Sequence, residues 1–371
     1  MPDAKPTPKH ILAVVHLPPP LHGAAIMNQR AIRVLQAQYR VTTLPLRFSS
    51  DISQIGRASH AKYILALCYL CRLFWHLFTN RPDLVYFSFA PTGPAFWRDS
   101  VYALLIRAFG VRCVFHLHGR GLKTLRNHSK IAAWLQRVVF KNQVMIIPGH
   151  SLKPELVGLD CDTAILANCV DIPAPQNAEP QPPHNPGPLR ILFLSNLIRT
   201  KGIDTLIEAL GLLNKRGISF RFDIAGAPGD VSELQLQEML YDAGIANNSH
   251  YHRAVDPAKR TTLLQNNDIF VFPSRYANEA QPLVVLEAMA HEVPVISSNI
   301  GTLGDIVIEN KTGFVLTGSG DAPQLAAHIL HAHNTPAQRA EMAKAARTLC
   351  ETAFHPDIFA QNLRDILARL L

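Results

Sequence analysis

The chain has 371 residues, 48% of them hydrophobic and 17% charged, enough to bury a large core in about two domains, so it reads as globular and soluble. Its net charge of +8 is uneven: residues 1–171 carry 20 Lys and Arg against 8 Asp and Glu, whereas residues 172–371 carry 16 against 20. The six cysteines form no disulfide-like framework, which suits a reducing compartment.

The first residues, Met1-Pro-Asp-Ala-Lys-Pro-Thr-Pro-Lys-His10, lack the charged-then-apolar layout of a signal peptide, so a cytoplasmic location is expected. Short apolar runs predict strands at 11–16, 84–89, 111–118, 143–147 and 163–166, with helical patterns at about 24–38, 61–78, 100–109 and 128–140. The most apolar stretch, 63–78, is interrupted by Arg72 and His76 and falls short of the ~20 apolar residues that cross a bilayer, so no spanning helix is expected. Cys68 and Cys71 within it read as small apolar helix residues, because no second C-x-x-C completes a zinc site.

A basic surface attracts nucleic acid, an anionic membrane or an acidic substrate, and charge alone does not choose. Here Arg57, Lys62, Arg72 and Arg81 interleave with Tyr63, Phe74 and Trp75, and Lys123, Arg126, Lys130, Arg137 and Lys141 with Trp134 and Phe140. That favours an anionic membrane surface over nucleic acid, with an ordinary solvated helix face as the plain alternative.

Residues 172–188 hold seven prolines in seventeen positions, an extended connector between a first domain at 1–171 and a second at 189–352. In the second domain, strands are predicted at 190–195, 220–225, 250–253, 268–273, 294–298 and 313–316, with helices beginning near Gly202, Val231, Asp256, Pro282 and Ala322. Strands alternating with helices argue for an α/β architecture of two parallel sheets covered on both faces, with a ligand in a cleft at the carboxyl ends of the strands. The last segment, 353–371, carries a helical apolar stripe and needs a surface to pack on.

Glu279 and Glu287 stand eight residues apart where the predicted strand at 268–273 runs through a loop into a helix. The unpaired N–H groups at that helix start attract phosphate, so the arrangement suggests a sugar-nucleotide site. His118 closes a strand and precedes a glycine, and His116 shares its strand face. A metal pair is the alternative there, but no third ligand stands at a recognisable spacing and no metal is expected. Gly23 opens a helix after three prolines, either as a simple turn or to let a phosphate approach the backbone. Asp230 reads as a turn and helix cap.

The segment Asn278-Glu-Ala-Gln-Pro-Leu-Val-Val-Leu-Glu-Ala-Met-Ala-His-Glu-Val-Pro-Val-Ile-Ser-Ser298 resembles the E-x7-E signature of the retaining glycosyltransferases of family 4. Lys201-Gly-Ile-Asp-Thr-Leu-Ile-Glu-Ala-Leu210, Asn168-Cys-Val-Asp171 and His118-Gly119 are similar to other motifs of that family. Leu17-Pro-Pro-Pro-Leu-His-Gly23 is similar to the first glycine loop of members that build bacterial surface polysaccharides. The resemblance implies the GT-B fold, two Rossmann-like doubly wound domains with a cleft between them, and a final helix at 353–371 that returns to the first domain.

It also implies roles. Glu279 would hold hydroxyls of the donor sugar, Glu287 the ribose hydroxyls, and the N–H groups around Gln281, Leu283 and Val284 the diphosphate, without a metal or other cofactor. Lys201 would neutralise the leaving diphosphate, and His118 would lie near the donor sugar. Where the family has Gly-Arg this chain has Ser195 and Asn196, so Asn196 stands at the donor phosphates and Arg199 is the candidate replacement cation. The expected reaction is transfer, with retention, from a nucleotide-diphosphate sugar to a lipid-linked or polysaccharide acceptor, on the inner face of the cytoplasmic membrane. A non-catalytic GT-B partner and a nucleotide-sugar epimerase are the alternatives.

Overall fold

The computed structural model describes residues 8–48, 60–174, 187–318 and 320–371. The first seven residues, most of the proline-rich connector and Arg57 of the basic set lie outside these. The chain divides into two compact units, Met1–Asn168 with Asp357–Leu371, and Cys169–Pro356.

The first unit runs β1 (His10–Val15), α1 (Gly23–Gln36), β2 (Arg40–Pro45), α2 (His60–Asn80), β3 (Leu84–Phe89), α3 (Gly93–Ala108), β4 (Arg112–Leu117), α4 (Leu122–His128), α5 (Lys130–Phe140), β5 (Gln143–Ile147) and β6 (Cys161–Ile165). Its strands are all parallel, in the order β2-β1-β3-β4-β5-β6. Every residue of β1 and β3 is buried, as expected for strands covered on both faces, and this is why they read as mostly apolar runs. β2 escapes the apolar pattern because it is a half-exposed edge, Arg-Val-Thr-Thr-Leu-Pro, and its ladder to β1 makes it a strand. The strand order reverses at β1, which puts a topological switch point between the carboxyl ends of β1 and β3.

α2 is longer than the apolar run that predicts it. Its 21 residues make it long and apolar enough, by length and composition, to cross a membrane, whereas 63–78 alone falls short. Within the unit it buries Tyr69, Leu73 and Leu77, four residues apart on one stripe, and leaves Tyr63, Ile64, Leu67, Phe74, Trp75 and Phe78 exposed.

The second unit runs β7 (Leu189–Leu194), α6 (Ile203–Lys215), β8 (Phe220–Ala225), α7 (Glu233–Asp242), β9 (Ser249–Tyr251), α8 (Pro257–Gln265), β10 (Ile269–Phe272), α9 (Leu283–Ala290), β11 (Val295–Ser298), α10 (Leu303–Ile306), β12 (Gly313–Leu316), α11 (Ala322–Asn334) and α12 (Pro336–Ala353). The sheet order is β12-β11-β10-β7-β8-β9, again parallel, so the switch point lies between β7 and β10. Phe193, Phe222, Leu206 and Leu210 centre its core. α12 packs through Met342, Ala343, Ala346 and Cys350, mostly small side chains whose periodicity is faint in the sequence. The last helix, α13 (Pro356–Ala368), buries Phe359, Leu363 and Leu367, and Asp357–Leu371 is grouped with the first unit.

Candidate active site

The two strands that flank the switch point of the second unit deliver the two groups most able to do chemistry. Beyond β7 the chain makes a single 3-10 turn, Arg199–Lys201, and Gly202 then takes a left-handed conformation at φ 89° to start α6. Beyond β10 comes Pro273, whose carbonyl oxygen would lie 2.3 Å from any Cβ on Gly202, so glycine is what lets the two exits close on each other. The Arg275 N–H donates to the Thr200 carbonyl at 2.8 Å, and its guanidinium reaches Asp204 at 3.0 Å and the Thr205 hydroxyl at 2.8 Å.

Across this brace Lys201 Nζ donates to Glu279 Oε2 at 2.5 Å, and Ser274 Oγ donates to the same oxygen at 3.2 Å. The ammonium also sits 4.7 Å from the Tyr276 ring centroid. Glu279 is buried, and its loop is clamped from the β11 side, where both the Thr302 N–H and hydroxyl donate to the Ala280 carbonyl, at 2.7 and 3.1 Å. Gly301, at φ 61°, gives that carbonyl the room, since a Cβ would stand 2.4 Å from it. Ser274, Thr302 and Gly301 carry no motif in the sequence, and each was invisible until the loops met.

α9 begins at Pro282 without a side-chain cap, so the amides of its first turn, Leu283 and Val284 among them, receive no capping side chain, and Gln281 just before them is buried. Glu287, in the second turn, is taken up by an unforeseen partner. Arg260 of α8 donates through one nitrogen to both its carboxylate oxygens, at 3.1 and 3.3 Å. The pair is part-exposed and on different helices, so nothing in the spacing of the sequence announces it.

One expectation changes, that of Asp230 as a helix cap. Asn196 accepts from the Ala227 N–H at 3.3 Å, and Gly226 packs so close to Ser195 that a Cβ would stand 1.9 Å from its carbonyl oxygen. Ser195 and Asn196 thus staple the exits of β7 and β8. Asp230 caps the Arg199 N–H at 2.8 Å instead of a helix, while Ser232 and Gln235 form the capping box of α7. The Arg199 side chain is exposed and has no ion-pair partner among the described residues.

In the first unit, the carboxyl ends of β1, β3 and β4 gather a second set. Gly23 opens α1, and His22 before it accepts from the Ala25 N–H through Nδ1 at 3.4 Å. His118 Nε2 lies 2.9 Å from Asn28 Oδ1, and the His116 and His118 rings are 4.0 Å apart. His116 Nδ1 is engaged by the Tyr86 hydroxyl, and among the described residues no group of three or more His, Cys, Asp or Glu is arranged to hold a metal. Burial, aided at His16 by Arg98, pushes His16 and His116 down to about 3, and desolvation with the neighbouring histidines holds His118 well below its ordinary range.

These histidines are neutral in the folded chain but charge when it unfolds, from an ordinary value of 6.5. The unfolded state therefore binds more protons between 6.5 and about 3, so the stability of the first unit is full above that window and falls as pH drops through it. The expected slope is ~1.4 kcal/mol per pH unit for each such histidine. Urea unfolding followed from pH 7 to pH 4.5 measures it, and a slope unchanged in His116→Gln would show that His116 does not contribute.

The family described as glycosyl transferases group 1 matches residues 176–349. The chain is 33% identical over 187 residues to the amylovoran biosynthesis glycosyltransferase AmsK of Erwinia amylovora, covering 49% of this chain and 45% of that protein. It is 25% identical over 174 residues to the capsular polysaccharide biosynthesis glycosyltransferase CapM of Staphylococcus aureus, covering 47% and 44%. The chain thus spans about half the length of these curated relatives. The sucrose-phosphate synthase structure from Thermosynechococcus elongatus superposes with a TM-score of 0.78 over 98% of this chain and 99% of that one, at 17% identity. The fold is GT-B, two Rossmann-like units, and the stretch that matches the group 1 glycosyl transferases contains Lys201, Arg260, Glu279 and Glu287.

Proposed function

We propose that the protein is a retaining glycosyltransferase that moves a sugar from a nucleotide-diphosphate sugar to a lipid-linked or polysaccharide acceptor in bacterial surface glycan assembly. The observation that carries this reading is the Lys201–Glu279 pair at the β7/β10 switch point, beside the uncapped start of α9 and eight residues from Glu287. The names of AmsK and CapM support the polysaccharide context.

In this reading the donor diphosphate takes over the Lys201 ammonium, which frees the Glu279 carboxylate to accept from hydroxyls of the donor sugar. Lys201 and the first-turn amides of α9 then stabilise the charge that grows on the leaving phosphate as the sugar–phosphate bond breaks, so the chemistry needs no metal or other cofactor. Glu287 accepts from the ribose, with Arg260 holding its carboxylate in place, and Arg199 supplies a second cation to the phosphates. His118, at the carboxyl end of β4, offers a partner to a sugar hydroxyl. Attack on the donor's own face, with the leaving phosphate taking the acceptor proton, gives retention without a protein nucleophile.

Incubation of the purified chain with UDP-, GDP- and ADP-sugars, followed by transfer to a polyprenyl-diphosphate-linked sugar, tests this. The expected product keeps the donor's anomeric configuration and disappears in Glu279→Gln. An inverted product refutes retention, nucleotide binding without transfer indicates a non-catalytic partner, and an epimerised donor formed without acceptor indicates an epimerase.

The same reading places the protein peripherally on the inner face of the cytoplasmic membrane. α2 presents Ile64, Leu67 and Trp75 beside Lys62 and Arg72, and α5 presents Ile131 and Trp134 beside Lys130 and Arg137. α2 is tied to its unit by the Tyr69, Leu73 and Leu77 stripe and by the Tyr102 hydroxyl, which donates to the Ala66 carbonyl at 2.7 Å. A helix held along one side favours lying in the interface over crossing the bilayer. Cosedimentation with phosphatidylglycerol vesicles is expected to exceed that with phosphatidylcholine, and Arg72→Glu with Trp75→Glu to lower it by about tenfold or more. Equal binding to both vesicle types would count against an anionic surface.

A further inference from the structure

Asn28 is fully buried in the second turn of α1, and it spends its whole side chain on three strand ends. Its Nδ2 donates to the His16 carbonyl beyond β1 at 3.0 Å and to Ser88 Oγ in β3 at 3.0 Å, and its Oδ1 lies 2.9 Å from His118 Nε2 beyond β4. A backbone carbonyl only accepts, so the atom facing His16 must be the amide nitrogen, and the atom facing His118 must be the amide oxygen. An amide oxygen in turn only accepts, so His118 Nε2 carries the proton. The orientation of one side chain settles the tautomer of another 90 residues away.

We infer that Asn28 is a positioning residue that holds His118 as the neutral Nε2–H tautomer and so leaves its Nδ1 as a hydrogen-bond acceptor. His118 is partly exposed, and Nδ1 has no protein partner among the described residues. On the transferase reading above, which this step rests on, the group Nδ1 receives is a sugar hydroxyl held at the carboxyl end of β4. An imidazolium, or the other tautomer, offers a donor at Nδ1 and does not bind that hydroxyl in the same sense.

The surroundings keep His118 in this state. The groups packed about it are His16 beyond β1, His22 ahead of α1, His116 in β4 with Tyr86 of β3 on its Nδ1, and Arg98 of α3, whose guanidinium reaches His16 Nε2 at 3.4 Å. The nearby carboxylate, Asp99, is engaged by Arg98 and by the Ala90 N–H. Desolvation first, and then His116, His22 and His16 beside it, hold His118 well below its ordinary value, so a second proton on its ring is unfavourable.

The test is nitrogen NMR on the full chain labelled with 15N-histidine, with the His118 signals assigned by their loss in His118→Gln. The expected result is an Nε2–H tautomer that does not titrate between about pH 5.5 and pH 8, the range in which an ordinary histidine changes charge. Asn28→Asp keeps the side-chain shape and the acceptor at Nε2, removes the donor to His16 and brings a negative charge, so His118 should then titrate inside that range. An Nδ1–H tautomer, a wild-type His118 that titrates there, or an Asn28→Asp variant whose His118 does not, overturns the inference. The wild-type spectrum alone decides if the variant does not fold. Because it is read without donor, this result is independent of the transfer assay, which separately decides the function.

Discussion

Lys201→Ala is expected to lower transfer by about 10²–10³-fold, the loss typical when one preorganised group facing the developing charge is removed. It should also weaken the fold. Glu279 Oε2 would keep only Ser274, and a carboxylate that is 9% exposed at its side chain would lose its cation. Breaking such a pair on one side costs ~3 kcal/mol or more, most of it the cost of leaving the other charge unpaired. Glu279→Gln should be milder for stability, because a neutral amide still accepts from Lys201, yet comparably damaging to transfer. A double-mutant cycle in urea unfolding measures the pair, with a coupling of ~1–3 kcal/mol expected. Transfer by Lys201→Ala at the wild-type rate would remove Lys201 from the phosphate site.

Gly202→Ala should be strongly damaging to the second unit. The residue sits at φ 89°, and its new Cβ would stand 2.3 Å from the Pro273 carbonyl oxygen and 2.8 Å from the carbonyl carbon. The left-handed conformation alone costs an alanine ~1–2 kcal/mol, and relieving the clash must part the β7 and β10 exits that bring Lys201 to Glu279. A total of ~3 kcal/mol, about 6–12 °C in Tm, is expected, with loss of donor affinity as the second readout. Gly217→Ala is the control: its φ is +72° but nothing lies within 4 Å of the added carbon, so only the conformational cost applies. If the two variants melt together, the close approach at Gly202 is not what holds the loops.

The recovered elements share one property. β1, β3 and β10 are buried along their whole length, so the composition of the run and the structure report the same thing. β2 and α12 do not, since one is an edge defined by its neighbour and the other packs with alanines, and neither leaves a strong period. Local capping rules also misjudge Asp230, which is close in sequence to α7 but closer in space to Arg199.

The site divides in the same way. Glu279, Glu287 and the start of α9 lie within one strand–loop–helix unit, and their spacing is legible because backbone geometry alone sets where they project. Lys201 was legible by resemblance, but its ion pair with Glu279, 78 residues on, was not. Arg260, Ser274, Thr302 and Asn28 had no sequence signal, nor did the contact of Asn196 with the Ala227 N–H, 31 residues away.

From the residues alone came an alternating α/β chain with a basic half, an acidic half and a phosphate-ready helix start, since hydrophobic period, charge and helix ends are local properties. The tertiary structure decided that β7 and β10 are neighbours, that Gly202 lets their exits touch, and that Asn28 turns its amide oxygen to His118. Those follow from strand order and close packing, which join residues tens of positions apart and are written at none of them singly.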